Sequence, residues 1–246
     1  MKFSNSPLVS FTQLSPNHSG FRIREIDRIT PHCVVGHATV EGLGELFANP
    51  ARQASSNYGI DDRGHVGLYV EEDNRSWCSS SSENDQRAVT IEVASDTVEP
   101  YRMTPTAYNC LIDLCTDICQ RYGKKRLLWI PDKDTALSYR LKEGECLLTV
   151  HRWFANKSCP GDWLYERLGD VAKQVTERLV TSASSVPVEG KTEQTNEDAP
   201  SPWAKEAVDW AIKEGILLGN GTSYRLHDPV TREEMLVFLK RALKST

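Results

Sequence analysis

Apolar and polar positions alternate most sharply over residues 88–94, where Val89, Ile91 and Val93 interleave with Thr90, Glu92 and Ala94. A period of two predicts a strand and puts Glu92 on the face opposite the β-branched row. An apolar-rich run at 28–35 and an alternating run at 65–70, behind the turn signal Asp61-Asp62-Arg63-Gly64, predict two more strands, with further candidates at 127–130 and 146–151. Helical spacing appears over 40–47, 104–122 and 163–179, the last with Leu164, Leu168, Val171, Val175 and Leu179 in one stripe. Strands interleaved with helices predict an α/β body, a central mixed sheet flanked by helices.

The patterning stops at residue 181. From there to 200 the chain accumulates Ser, Thr, Pro, Gly and Asn with almost no large apolar side chain, so burial cannot offset the entropy of ordering and a flexible linker is expected. This divides the 246 residues into a body, 1–180, a linker, 181–200, and a tail, 201–246. In the tail, Trp203, Ala207, Val208, Trp210, Ala211 and Ile212 form a helical apolar face that stops at Gly215. Gly219-Asn220-Gly221 then turns the chain, and Thr231 with Glu234 forms a capping box for a second helix, so the tail reads as a small all-α helical hairpin.

Composition excludes more than it selects. A chain that is 39% hydrophobic and 26% charged is ordinary for a globular protein, and a net charge of −5 lacks the electrostatic footprint of a non-specific nucleic-acid binder. No nucleic-acid partner is expected. No window approaches the roughly 18 apolar residues of a membrane span, and residues 1–10 lack the charged-then-apolar profile of a secretory signal, so synthesis in the cytoplasm is expected. Seven cysteines cannot all pair within one chain, and Cys110, Cys115 and Cys119 fall among apolar positions at helical spacing, where a free thiol acts as a small hydrophobe.

Candidate chemistry concentrates in Thr149-Val-His151-Arg-Trp-Phe-Ala-Asn-Lys157-Ser-Cys159-Pro-Gly161, which leaves a predicted strand at a histidine and enters a Pro-Gly loop. Imidazole and thiolate are good zinc ligands, and a catalytic zinc takes three protein donors with a fourth position open. His32, within the strand Ile29-Thr30-Pro31-His32-Cys33-Val34-Val35, can supply the third, although a His-x7-Cys spacing is weak by itself. The run 78–82 reads as a flexible rim, because no histidine adjoins its serines to activate one.

Taken together these segments resemble the zinc-dependent N-acetylmuramoyl-L-alanine amidases, the type-2 amidases that share a fold with peptidoglycan recognition proteins, and are similar to endolysin-type members. The resemblance runs over about 23–179 through five ordered pieces: Thr30-Pro-His32-Cys33-Val-Val, Ala54-Ser-Ser-Asn-Tyr58-Gly-Ile-Asp-Asp-Arg-Gly64, Asn74-Arg-Ser-Trp77, Val89-Thr-Ile-Glu92-Val, and His151 through Pro160. It implies that His32, His151 and Cys159 bind one Zn²⁺ per chain, that Glu92 is the general base, and that Lys157 faces the developing oxyanion. Some members place a tyrosine eight positions before the turn glycine; here that position is Ser56, which leaves the base role to Glu92. Asn57 stands where many members have histidine. His37 and His65 are expected outside the ligand set. Asn57, Tyr58, Trp77 and Arg75 are expected to contact substrate, with Trp77 and Tyr58 stacking on sugar and Arg75 or Arg87 pairing with a peptide carboxylate.

The tail resembles one S-layer homology motif, through Trp203-Ala, Trp210-Ala, Glu214-Gly-Ile, Leu218-Gly, Asp228-Pro and Val230-Thr-Arg-Glu-Glu234. That resemblance implies binding to a secondary cell-wall polymer, with Trp203, Thr231 and Arg232 in the binding set. A unit this short can hardly bury its own apolar face, so a homo-oligomer formed through the tail is also expected. The joint expectation is a peptidoglycan hydrolase that reaches the wall after release by lysis. Two rivals remain at this level: a non-catalytic peptidoglycan-recognition protein and a zinc peptidase that cuts the stem peptide.

Overall fold

The computed structural model describes residues 3–184, 200, 204–218, 224, 226, 230 and 232–243. The chain divides into two compact units, Met1–Pro187 and Val188–Thr246.

The first unit contains nine strands among its described residues: β1 Val9–Thr12, β2 His18–Phe21, β3 Arg28–Cys33, β4 Tyr58–Ile60, β5 Val66–Leu68, β6 Asn74–Ser76, β7 Ala88–Val93, β8 Arg126–Leu128 and β9 Glu145–Leu148. Its helices are α1 Val40–Ala48, α2 Ser82–Arg87, α3 Pro105–Arg121, α4 Lys133–Ser138, α5 Asp162–Tyr165 and α6 Leu168–Ser184. Seven strands form one sheet in the order β1-β5-β4-β7-β3-β9-β8, parallel throughout except for the antiparallel pair β4 and β5. This is the mixed, helix-flanked sheet that the patterning predicts. β2 and β6 pair separately as an antiparallel ribbon.

The two faces of the central strands differ in chemistry. Ile29, Cys33, Val89, Ile91 and Val93 join Leu111, Cys115 and Ile118 of α3 and Val171 and Val175 of α6 in one apolar core. The opposite face carries Thr30, His32, Thr90 and Glu92, in register across β3 and β7. Polar side chains can be buried at low cost only when hydrogen-bonded. A network meets that need: Thr30 lies 2.7 Å from the Thr149 hydroxyl, and Asn84 of α2 donates to Thr30 and accepts from Thr149.

Helix boundaries follow from capping. Thr104 accepts from the Ala107 amide and Pro105 occupies the first turn, so α3 starts where sequence places it. The stripe predicted over 163–179 is instead two helices, α5 and α6, interrupted at Glu166 and Arg167. α6 continues to Ser184, past the predicted start of the linker, and residues 185–199 lie outside the described residues.

In the second unit, α7 Lys205–Lys213 ends in a turn at Gly215, whose φ of +66° is the left-handed conformation glycine adopts without strain. Helix α8 spans Arg232–Ala242, and the Arg241 guanidinium donates to the Ile216 carbonyl at 3.0 Å. Trp203 and Thr231 lie outside the described residues, and of Arg232 only its place at the start of α8 is described.

Candidate active site

His32 and Glu92 sit directly across from each other on adjacent central strands, β3 and β7. The His32 Nδ1 lies 4.0 Å from the Glu92 carboxylate and 3.3 Å from the Cys159 thiol. His151 opens the turn that follows β9, the other neighbour of β3, and its ring stands edge-on to His32 with centroids 5.1 Å apart. The ligand atoms of His32, His151 and Cys159 all lie within 4.8 Å of one another. The Nε2 of His32 and the Oε2 of Glu92 are buried without a hydrogen-bond partner.

Burial sets the electrostatics. It pushes His32 down to about 3, with the neighbouring His151 adding to the shift, and pushes Glu92 up to about 7. His151 is lowered by burial and by the Lys157 ammonium. Both shifts favour the neutral imidazole, the form that binds a metal. Cys159 is raised by the adjacent Cys33 thiol and by burial. Two neutral imidazoles and one thiol crowded together, one ring nitrogen left without a partner, fit a Zn²⁺ ion.

The loop that presents Cys159 is held from its own segment. Arg152 donates to the Ser158 carbonyl and to Asp162 and lies 4.7 Å from the Tyr165 ring, while the Arg152 amide donates to the Cys159 carbonyl. Gly161 has φ +81°, and a Cβ there would meet the Pro100 carbonyl at 2.7 Å, so the exit from this loop requires glycine. Trp153 stacks on Trp129 at 5.3 Å and is buried in the main apolar core.

A cavity of about 620 Å³ opens onto these groups, lined in part by Arg52, Arg75, Trp77, Glu92 and Lys157. Sequence places Asn57 and Tyr58 among the substrate contacts, and the structure corrects both. Both are fully buried. Asn57 accepts from the Thr90 amide and Arg22 and donates to the Val70 carbonyl, which ties β7 to the segment before β6. The Tyr58 hydroxyl donates to the buried Glu72, which also receives Arg121 and Tyr122. Arg87 is committed to Asp27, and it does not line the cavity. His37 and His65 pair with Asp62 and Asp61 at 2.8 and 2.9 Å.

A profile of the family described as N-acetylmuramoyl-L-alanine amidase matches residues 24–162, over half of the chain. The chain belongs to that family. A second profile, the S-layer homology domain, matches residues 198–236. No curated protein matches. Among solved structures, the amidase is similar to the PlyG catalytic domain in solution, at 16% identity over 72% of this chain and 98% of that one, with a TM-score of 0.49. It is likewise similar to PlyL (15% identity, 67% and 95% covered, TM-score 0.49) and to the Staphylococcus aureus hydrolase AmiA in complex with its ligand (12%, 74% and 88%, TM-score 0.49).

Two residues of the candidate site carry no signal in the sequence. The Cys78 thiol donates to Glu92 Oε1 at 3.8 Å, and Ser80 Oγ lies 2.8 Å from His151 Nε2. Both sit in the run that reads as a flexible rim, yet Asp85 accepts the amides of Cys78 and Ser79 and the Ser79 hydroxyl, and Ser81 caps α2. The run is a fixed wall. Ser80 takes φ +63°, a conformation uncommon outside glycine, at the point where it reaches the imidazole.

Proposed function

We propose that this amidase hydrolyses the bond between the lactyl carbonyl of N-acetylmuramic acid and L-alanine, with His32, His151 and Cys159 holding one Zn²⁺. The carrying observation is the convergence of those three donors beside Glu92, in the lining of a cavity that Lys157 shares. A zinc ion held by such donors supplies Lewis acidity toward water and the scissile carbonyl. Glu92 receives the proton of the attacking water and passes it to the departing amino group, and its partnerless Oε2 is the atom available for that transfer. The Lys157 ammonium stabilises the tetrahedral oxyanion more than the planar amide. Trp77 and Arg75 on the cavity wall contact the sugar and the peptide carboxylate.

Purified peptidoglycan digested by the full chain is expected to gain L-alanine amino termini and no new reducing ends. Reducing ends would indicate a glycosidase, and amino groups of another residue a peptidase; either would overturn the assignment.

The second unit is read as the wall anchor, holding a secondary cell-wall polymer through Trp203, Thr231 and Arg232. Among its described residues Trp210, Leu236 and Leu239 are each more than half exposed, which favours association of tails from separate chains. Light scattering of the full chain is expected to report an oligomer, and Arg232→Ala to lower retention on intact walls. A monomer at high micromolar concentration would remove the association, and unchanged retention would remove Arg232 from the binding set.

A further inference from the structure

The two histidines proposed as zinc ligands are held in different ways. His32 lies inside β3, a strand paired on both sides, and is 1% exposed. His151 instead opens the short turn after β9. Its half-buried ring meets the edge of His32, with centroids 5.1 Å apart, and the hydroxyl of Ser80, which lies 2.8 Å from Nε2. Of these two contacts, only the hydrogen bond to Ser80 discriminates one ring nitrogen from the other.

Ser80 stands between two anchored neighbours. Asp85 accepts from the Ser79 amide and hydroxyl, and the Ser81 hydroxyl accepts the Asn84 amide at the start of α2. Between them Ser80 takes φ +63°, and from this backbone its hydroxyl reaches an imidazole 71 residues away in sequence. Glycine would occupy such a turn without strain. A side chain kept in the left-handed region at a cost, with its polar atom on a group of the candidate site, is the pattern expected where the side chain has a task.

We propose that Ser80 is a positioning residue for the metal: its oxygen accepts the Nε2–H of His151, which fixes the tautomer that leaves Nδ1 unprotonated as the zinc ligand. The proposal rests on the zinc reading above. A neutral imidazole carries one N–H and a metal takes the other nitrogen, so the nitrogen that donates to Ser80 decides which atom ligates. Outer partners of this kind orient the ring, and their removal typically weakens a metal site about 10–100-fold. The reverse arrangement has the opposite sign. Were the hydroxyl to donate to Nε2, Ser80 would compete with the ion for that lone pair, and its removal would strengthen binding.

The probe is Zn²⁺ itself, drawn from the zinc-loaded full chain by a competing chelator of known affinity. Ser80→Ala and Ser80→Gly are both expected to weaken zinc binding about tenfold or more. Ser80→Gly is the decisive variant, because it relieves the backbone while removing the acceptor, and a purely conformational role would leave its affinity at the parent's value. Long-range ¹⁵N NMR of the zinc-loaded parent is expected to show His151 ligated through Nδ1 with its proton on Nε2. Unchanged or strengthened zinc binding in Ser80→Gly would overturn the proposal, as would ligation through Nε2. A parent that takes up no zinc would instead overturn the zinc reading, so the two failures are distinguishable.

Discussion

Glu92→Gln is expected to keep its metal and its melting midpoint while turnover falls on the order of 10² or more, the loss of a general base. Glutamine has the shape of the carboxylate and preserves an acceptor for the Cys78 thiol, 3.8 Å away on Oε1. It cannot take a proton. Burial already disfavours the ionised form of this side chain, so a neutral isostere costs the fold nothing. Zinc content measured beside turnover separates the two roles, because Glu92 lies 4.0 Å from His32 without belonging to the proposed ligand set. If the variant turns over normally, the base lies elsewhere and this reading of β7 is wrong.

Cys159→Ala is expected to lower zinc from about one per chain to near zero, and with it all measurable activity. Binding to the native state alone stabilises it, by about 2.7 kcal/mol when free metal stands at 100 times the dissociation constant. The variant should therefore melt earlier than the zinc-loaded parent and coincide with the parent after chelation. The comparison matters because Cys159 also packs against the apolar core. A deficit that persists against the chelated parent would be a packing loss. Full activity in Cys159→Ala would remove the zinc assignment.

The sheet and most of the site were legible because they depend on period and order. The alternation of 88–93 marks β7 and turns Glu92 away from Ile91 and Val93, and the apolar run at 28–33 marks β3 with His32 near its end. His151, after β9, and the thiol of Cys159, eight residues on, lie in one local segment, so a motif can carry them. What stayed hidden depends on tertiary partners. Asn57 looks like a polar residue at a groove, but its role is set by Arg22 and Thr90, 35 and 33 residues away. β2 and β6 are too short and too polar for a period to register, and the contacts of Ser80 and Cys78 exist only once Asp85 has fixed their turn. The break between α5 and α6 leaves the helical stripe unbroken in sequence, since Leu164 and Leu168 are buried on both sides of it.

The polar face shared by β3 and β7 also bears on how the chain reaches its fold. Side chains alternate along a strand, so a one-residue slip of β3 along β7 would turn His32 into the apolar core and bring Ile29 and Cys33 to the polar side. An imidazole in that core would find no hydrogen-bond partner in Leu111 or Ile118, while Asn84 would lose the Thr30 hydroxyl to which it donates. Pairing errors between these two strands are penalised by residues of the candidate site itself. A mispaired sheet would part Glu92 from His32, so on the proposed mechanism only the native register cuts the wall.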